Sequence, residues 1–143
     1  MSSTGWIDEP LYSEIKKVMP LACVDLLIVN KERLLLMKRN NPPAQGLWFT
    51  PGGRIYRGES LEAAVIRVLK EETGLAPDSF KQVGAMSHIW PEAQTVTVFY
   101  KVNVSTDVPE MNIEHDEYKW IKEVDDDLHP YIVYMIDESG IFN

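Results

Sequence analysis

The sequence is poor in cysteine and histidine, and it has no apolar run of membrane length. It contains one cysteine, Cys23, and three histidines in 143 residues. A single cysteine excludes an intrachain disulfide. Cys23 stands in the apolar run LACVDLLIV, where a small buried hydrophobic residue is a better interpretation than a nucleophile. The sequence shows neither a signal peptide nor a membrane-length segment, which predicts a cytoplasmic protein.

Positive charge is also scarce. Lysine and arginine together number 14 against 22 aspartates and glutamates, for a net charge of −8. This balance argues against nucleic acid or an anionic membrane as a partner, because both carry negative charge themselves. Phosphorylated small molecules remain compatible, since a metal held by acidic residues supplies local positive charge. The sequence leaves the oligomeric state open, with a homodimer as one arrangement.

The chain shows no internal repeat, low-complexity tract or linker, and its length fits one domain over residues 1–143. Residues 1–19 are interpreted as an N-terminal helical extension that stops near Pro20. A second terminal helix is predicted over 130–137. Strands are predicted over 21–29, 33–38, 80–89, 95–104 and 118–121. Together these elements predict an α/β fold in which a mixed sheet packs between helices.

The most informative segment is a glycine-rich stretch followed by an amphipathic helix. Residues 51–53, Pro-Gly-Gly, are expected to form a turn that permits positive φ and lets bare backbone approach a ligand. Ser60 is placed to cap the helix, and Gly74 stands where a left-handed residue would end it. The apolar side of the helix is formed by Leu61, Ala64, Val65, Val68 and Leu69.

Two adjacent glutamates near the end of this helix, Glu71 and Glu72, could place hard oxygen ligands around Mg²⁺ or Mn²⁺. An isolated pair of this kind is more often a solvated helix face. The metal hypothesis depends on the whole spaced set, in which the glycines, a further glutamate and an arginine stand at fixed distances from the pair.

That spacing resembles the signature of the Nudix hydrolases. The matching positions are Gly53, Glu59, Arg67, Glu71, Glu72, Gly74 and Leu75. The resemblance implies an α/β/α sandwich, a divalent cation (Mg²⁺, with Mn²⁺ as an alternative), and cleavage of a nucleoside diphosphate linked to another group. One position departs from the pattern, because the family usually has glutamate directly after the arginine and this chain has Val68.

The resemblance narrows to one subgroup. The stretches PLACVDLLIV, LLLMKRNNPPAQGLWFTPGGR and EHDEYKWI are similar to their counterparts in GDP-mannose mannosyl hydrolases, which lack the same glutamate. In that subgroup water displaces GDP from C1 of the hexose instead of attacking phosphorus. The resemblance implies that the Gly52 carbonyl and Glu72 hold the metal with Glu114, that Glu71 lies at the same site, and that His115 is the general base.

The resemblance also assigns the remaining positions. It implies that Arg39 and Arg54 neutralise the departing diphosphate, that Asp25 orients a substrate group or an arginine, and that His88 lies near the diphosphate or metal. Arg67 is expected to pair with Glu59 or Glu71 as a structural strut, while Gly53, Glu59 and Gly74 shape the motif. Each functional role has a plainer rival. His115 could be an exposed loop residue, and Arg39 could serve only solubility.

Three functions therefore stay open at this level. The first is a nucleoside diphosphate sugar hydrolase that attacks carbon, which Val68 favours. The second is a pyrophosphohydrolase that attacks phosphorus, with Glu71, Glu72 or Glu114 as base. The short stretch IWPEAQ after His88 favours the second, because the subgroup has a longer loop there with a substrate-contacting tyrosine. The third is a non-catalytic Nudix fold, which the retained signature residues argue against.

Overall fold

The computed structural model of the protein describes residues 5–40, 45–106 and 115–142. The helices are α1 (Leu11–Val18), α2 (Leu61–Thr73) and α3 (Pro130–Ser139). The strands are β1 (Leu21–Asn30), β2 (Arg33–Arg39), β3 (Trp48–Phe49), β4 (Gly52–Arg54), β5 (Ser79–Ile89), β6 (Gln94–Asn103) and β7 (His115–Ile121). Within these ranges no helix has both the length and the apolar character needed to cross a membrane.

In the described residues seven strands form a single mixed sheet. Five follow the order β3-β2-β1-β6-β5, while β4 pairs with β1 and β7 pairs with β2. The β1–β6 pair is parallel and the other pairs are antiparallel. The predicted α/β/α sandwich is confirmed, because α2 packs on one face of this sheet and α3 on the other.

Two apolar cores result from the alternation of side chains along β1. Val24, Leu26 and Ile28 point to the face covered by α2, where they meet its apolar side. Leu27 points to the opposite face and packs with α3. Because successive strand residues face opposite sides of a sheet, Asp25 lies on the α3 face with Leu27.

Two expectations from the sequence need correction. Residues 52–54 form a strand, β4, which pairs antiparallel with β1, so the predicted turn at 51–53 is wrong. The last strand begins at His115 and not at Tyr118, because β7 continues alongside β2 until His115 stands opposite Arg39. Both corrections involve pairing between distant segments, which local composition does not specify.

Candidate active site

Helix α2 presents the signature glutamates, and both of its ends are fixed locally. Ser60 has an extended backbone, and its side chain accepts a hydrogen bond from the Ala63 N–H at 3.1 Å. Gly74 ends the helix with φ of 71°, the left-handed conformation that glycine adopts most easily. Val68 and Glu72 lie one turn apart on the side of α2 that faces the sheet, and both are buried.

Arg67 ties the signature segment together. Its Nε donates to Glu59 Oε2 at 2.5 Å, and its Nη1 donates to Glu71 Oε1 at 2.7 Å. Nη2 donates to the Arg54 carbonyl at 2.7 Å, which joins α2 to β4. The guanidinium also lies 3.6 Å from the centre of the Tyr56 ring. The hydrogen bonds from Arg67 hold the pKa of Glu59 below its ordinary value. The strut expected from the sequence therefore involves both glutamates at once.

A first cavity, of about 480 Å³, opens between β4, α2 and the N-terminal segment. Glu71, Glu72, Gly52 and Arg54 line it together. Glu72 is only 8% exposed, while Glu71 lies nearer the solvent. Carboxylate and carbonyl oxygens are the donors that Mg²⁺ prefers, so the chemistry of this set fits a hard divalent cation. In the described ranges, no three His, Cys, Asp or Glu side chains form a metal-binding cluster.

Two further residues that the sequence predicts for the site are Glu114 and His115. Glu114, the expected third carboxylate ligand, lies outside the described residues. His115 is described by its backbone, which forms the first residue of β7 and pairs with Arg39. Both roles therefore stay predictions.

Val68 occupies the floor of the first cavity as part of the apolar core. It is 2% exposed and belongs to the core cluster on the α2 face. A Cβ added at Gly53 would lie 3.2 Å from Val68 Cγ2, which is tighter than ordinary contact. The position where the family usually has a glutamate is thus filled by a closely packed hydrocarbon side chain.

Gly52 is required for a reason other than backbone conformation. The described glycines with positive φ are Gly46, Gly58, Gly74 and Gly140, so Gly52 and Gly53 do not use the positive φ that the predicted turn would have permitted. A Cβ at Gly52 would instead overlap Asp25 Oδ1 and lie 2.9 Å from the Val24 carbonyl oxygen. Glycine here leaves room for the Asp25 side chain beside β4.

A second cavity, of about 350 Å³, lies on the α3 side of β1. Its polar lining includes Asp25, Arg39 and Thr97, and its aromatic wall includes Phe49 and Trp90. The two cavities share Tyr12, Gly52, Gly53 and Arg54. Four shared residues mean that one elongated ligand could occupy both cavities across this junction.

Asp25 has a partner that the sequence did not suggest. The Tyr131 hydroxyl on α3 donates to Asp25 Oδ2 at 2.6 Å, and the Tyr131 oxygen lies 3.2 Å from Thr97 Oγ1. Withdrawal from water raises the pKa of Asp25 to about 7, although the Tyr131 hydrogen bond and the charge of Arg39 oppose the rise. Burial, reinforced by the charge of Asp25, raises the pKa of Tyr131, so its hydroxyl remains a donor at neutral pH.

The second cavity also contains Cys23 and, at its mouth, Arg54. Burial raises the pKa of the Cys23 thiol to about 12, which supports its interpretation as an inert side chain. The guanidinium of Arg54 donates to the Gly5 carbonyl and lies 5.0 Å from the centre of the Tyr56 ring. Arg54 is therefore positioned at the junction of both cavities by the N-terminal segment.

His88 lies in an aromatic cluster, apart from the described residues that line the first cavity. Its ring centroid is 4.1 Å from that of Trp90 and 5.2 Å from that of Tyr131. His129 joins the cluster at 5.6 Å from Trp90, and its Nδ1 accepts a hydrogen bond from the Tyr131 N–H. His129 is half-buried in this cluster and is the N-cap residue of α3. Burial, followed by the charge of His88, lowers the pKa of His129.

Sequence reasoning missed Trp90 and Tyr131 as parts of the site. Trp90 belongs to the short β5–β6 connection, where its N–H donates to the Ala93 carbonyl at 2.8 Å and turns the chain. Its indole Nε1 donates to Thr95 Oγ1 at 3.2 Å. Trp90 is an aromatic residue directly after the predicted strand 80–89, and this position was a local signal that could have identified it. No local signal connects Tyr131 with Asp25, which lies 106 residues earlier.

Comparison with known proteins agrees with this geometry. Residues 19–129 match the family model of the NUDIX domain. The low-salt glycan biosynthesis protein Agl8 of Haloferax volcanii is 31% identical over 142 residues, covering 94% of this chain and 91% of that protein. An ADP-ribose pyrophosphatase of Methanocaldococcus jannaschii is 43% identical over 68 residues, covering 48% of this chain and 40% of that protein.

Solved structures share the fold. A MutT NUDIX hydrolase from Burkholderia pseudomallei superposes with a TM-score of 0.76 at 25% identity, covering 84% of this chain and 98% of the other. The NUDIX domain of Shewanella oneidensis NrtR, solved with ADP ribose, superposes with a TM-score of 0.69 at 26% identity, covering 94% and 97%.

The sandwich, the capped signature helix and its buried glutamate define a hydrolase of the type that generally uses a divalent metal ion. The chain belongs to the NUDIX family. The family assignment made from the spaced glycines and glutamates is confirmed.

Proposed function

We propose that this protein hydrolyses a nucleoside diphosphate sugar of the GDP-mannose or GDP-glucose type by attack of water at C1 of the sugar, releasing GDP and the free sugar. The observation that carries the proposal is Val68. This position is 2% exposed and packed against Gly53, so helix α2 has no carboxylate one turn before Glu72 to activate water against phosphorus. In the proposed reaction the base comes from an element other than α2.

The metal would be held by Glu72 and the Gly52 carbonyl, with Glu71 beside them and Glu114 as the further ligand that the sequence suggests. When bound, a divalent ion supplies positive charge that stabilises a departing diphosphate. Arg54 lies at the junction of the cavities and Arg39 lines the second cavity. Their guanidinium groups suit phosphate oxygens because they donate hydrogen bonds in pairs.

His115 is the proposed general base. The ordinary pKa of imidazole, about 6.5, leaves most of it neutral and able to take a proton at pH 7. Its backbone is placed opposite Arg39, and Arg39 lines the second cavity.

The second cavity is the proposed place for the sugar. Asp25 can accept hydrogen bonds from hydroxyl groups, and Phe49 and Trp90 supply apolar ring faces. A similar relative is named for glycan biosynthesis, and a similar structure was solved with ADP ribose, itself a nucleoside diphosphate joined to a sugar. These names support a nucleotide-sugar substrate without specifying the base or the hexose.

The alternative is a pyrophosphohydrolase that attacks phosphorus of a nucleoside triphosphate or another nucleoside diphosphate derivative. Besides the short IWPEAQ stretch, a comparison favours it: the ADP-ribose pyrophosphatase relative is 43% identical over the aligned half of this chain. Under this alternative Glu71, Glu72 or Glu114 would be the base, and attack would break a phosphoanhydride bond.

The position of ¹⁸O in the products distinguishes the two reactions. The protein is incubated with Mg²⁺ in ¹⁸O-labelled water and a panel of nucleoside diphosphate sugars and nucleoside triphosphates, and the products are analysed by mass spectrometry. Attack at carbon places the label in the sugar, whereas attack at phosphorus places it in a phosphate. We expect labelled sugar and little turnover of the triphosphates.

Glu72→Gln serves as the control for background hydrolysis. Because it removes a proposed metal ligand, we expect kcat to fall by at least about a hundredfold while the fold is retained. Label in phosphate, or faster turnover of deoxynucleoside triphosphates than of the sugars, would replace the proposed function with the alternative. Normal turnover by Glu72→Gln would overturn the metal assignment.

A further inference from the structure

The two oxygens of the Asp25 carboxylate have different surroundings. Oδ2 accepts the hydrogen bond from the Tyr131 hydroxyl at 2.6 Å. Oδ1 lies against the backbone of Gly52, close enough that a Cβ there would overlap it. Asp25 lines the second cavity and Gly52 lines both, so Oδ1 lies beside a residue that the two cavities share, while Oδ2 is occupied by Tyr131 from α3.

Tyr131 is held rigidly enough to determine that arrangement. It is 5% exposed and its ring stacks on Phe49, with a centroid separation of 5.9 Å and an interplanar angle of 22°. Trp90 contacts it from another side at 5.1 Å. Its backbone N–H donates to His129 Nδ1 at 3.0 Å, the capping contact at the start of α3. A ring fixed on several sides leaves the hydroxyl little freedom to move.

The hydroxyl also belongs to a short polar chain. Thr97, which is buried on β6, lies 3.2 Å from the Tyr131 oxygen, so a threonine hydroxyl can donate to Tyr131 while Tyr131 donates to Asp25. The Tyr131 hydroxyl then donates its proton to Asp25 and accepts a hydrogen bond from Thr97, so both of these contacts are made within the protein. The arrangement fixes the direction of the bond to Oδ2, and therefore the rotation of the Asp25 carboxylate.

We propose that Tyr131 is a positioning residue for hydrolysis: by binding Asp25 Oδ2 it presents Oδ1 to a substrate hydroxyl next to the reacting atom. Tyr131 lies beyond residues 19–129, the region matched by the family model, so this contact comes from the chain's own C-terminal helix. The identity of the hydroxyl as part of a sugar rests on the proposed function. The positioning of Asp25 does not.

The test compares Tyr131→Phe, Asp25→Asn and the double variant with the wild-type protein. Steady-state kinetics are measured on the best substrate of the nucleotide-sugar and triphosphate panel. Tyr131→Phe removes the hydroxyl and keeps the packing of the ring. A misdirected Asp25 carboxylate should lower the turnover rate of bound substrate more than it lowers the affinity for substrate. We expect kcat of Tyr131→Phe to fall about tenfold, with KM changed less than about twofold. In the Asp25→Asn background, Tyr131→Phe should add no further loss.

Tyr134→Phe is the matched control, because Tyr134 lies on the same helix but is exposed. Its kcat should equal that of the wild type. Lower thermal stability of Tyr131→Phe with unchanged kcat would overturn the proposal in favour of a purely structural role, as would additive losses in the double variant.

If Tyr131→Phe fails to fold, an Asp25→Asn variant with full activity would overturn the proposal independently. A preference for triphosphates defeats the proposed function, whereas equal kcat of Tyr131→Phe and wild type on the preferred substrate defeats only this inference.

Discussion

At the residue scale, Asp25 shows a conflict between stability and function. A carboxyl group withdrawn from water binds its proton more tightly, and burial raises the pKa of Asp25 to about 7. The bond from Tyr131 only partly offsets this cost. A residue kept under such a cost is more readily explained by a role at the cavity than by packing, because an apolar side chain would pack there without it.

Asp25→Asn should therefore remove a pH dependence of stability. Between about pH 4 and pH 7 the folded protein holds a proton on Asp25 that the unfolded chain has released, so the free energy of unfolding falls as pH rises. The contribution is at most about 1.4 kcal/mol per pH unit. Urea denaturation at pH 5 and pH 8 in EDTA measures it. Asp25→Asn should gain stability relative to wild type at pH 8.

The exposed Asp137 on α3 provides the control for that comparison, and Asp137→Asn should follow the wild-type pH dependence. If Asp25→Asn and wild type lose stability equally between the two pH values, Asp25 is ionised in the folded protein throughout the range. The burial argument for its role would then be wrong.

His115→Gln is the second prediction at this scale. A positioned general base contributes about a hundredfold to ten-thousandfold, so kcat should fall within that range while KM changes little. The profile of kcat against pH should also lose its acidic limb near neutrality. Glu117→Gln, an exposed change on the same strand, should leave both properties unaltered. A His115→Gln variant that keeps its rate and its acidic limb would transfer the role to Glu114 or Glu71.

At the element scale, α2 was predictable because its signals are local. The capping serine, the terminal Gly74 and the apolar repeat all lie within one segment, and the structure has each of them as expected. β4 was not predictable in the same way. Its glycines suggested a turn, but pairing with β1 extends them into a strand, and the requirement for Gly52 comes from Asp25 on that neighbouring strand. Pairing of distant segments overrode local composition.

Val68→Glu tests the packing of this element. A carboxylate at a 2% exposed position against Gly53 has no partner in the apolar core, so the free energy of unfolding should fall by about 1–3 kcal/mol in EDTA. Because the new side chain lies one turn from Glu72, Mg²⁺ should restore part of the loss. Urea denaturation with and without Mg²⁺ measures both effects.

Ile66→Glu on the exposed side of the same helix is the control, and it should change stability by no more than about 0.5 kcal/mol. Equal stability of Val68→Glu and wild type in EDTA would show that position 68 can reach water, contrary to the packed arrangement on which the proposed function depends.

At the scale of the whole molecule, the candidate site lies where the family region meets its two flanking segments. The N-terminal segment contributes Trp6 and Tyr12 to the cavity walls, and α3 contributes Tyr131. We propose that residues 1–143 form one domain and that residues 1–19, its N-terminal helical extension, complete the site. The sequence predicted the extension as a helix, but no periodic pattern indicates that it contacts Arg54 and Tyr56 through Gly5.

Removal of residues 1–19 should therefore affect binding more than folding. Helix α1 has no buried residue, so the free energy of unfolding should change by only about 1 kcal/mol, mostly through loss of the Gly5 contact with Arg54. The cavity wall formed by Trp6 and Tyr12 would be lost, and KM should rise about tenfold because part of the ligand surface becomes exposed to water. Kinetics and urea denaturation of the truncated protein measure the two effects.

Val18→Ser, an exposed change on α1, is the control and should alter neither KM nor the free energy of unfolding. A truncated protein with unchanged KM would show that the first cavity binds its ligand without the extension. A truncated protein that fails to fold would show that the rest of the domain needs the extension for folding.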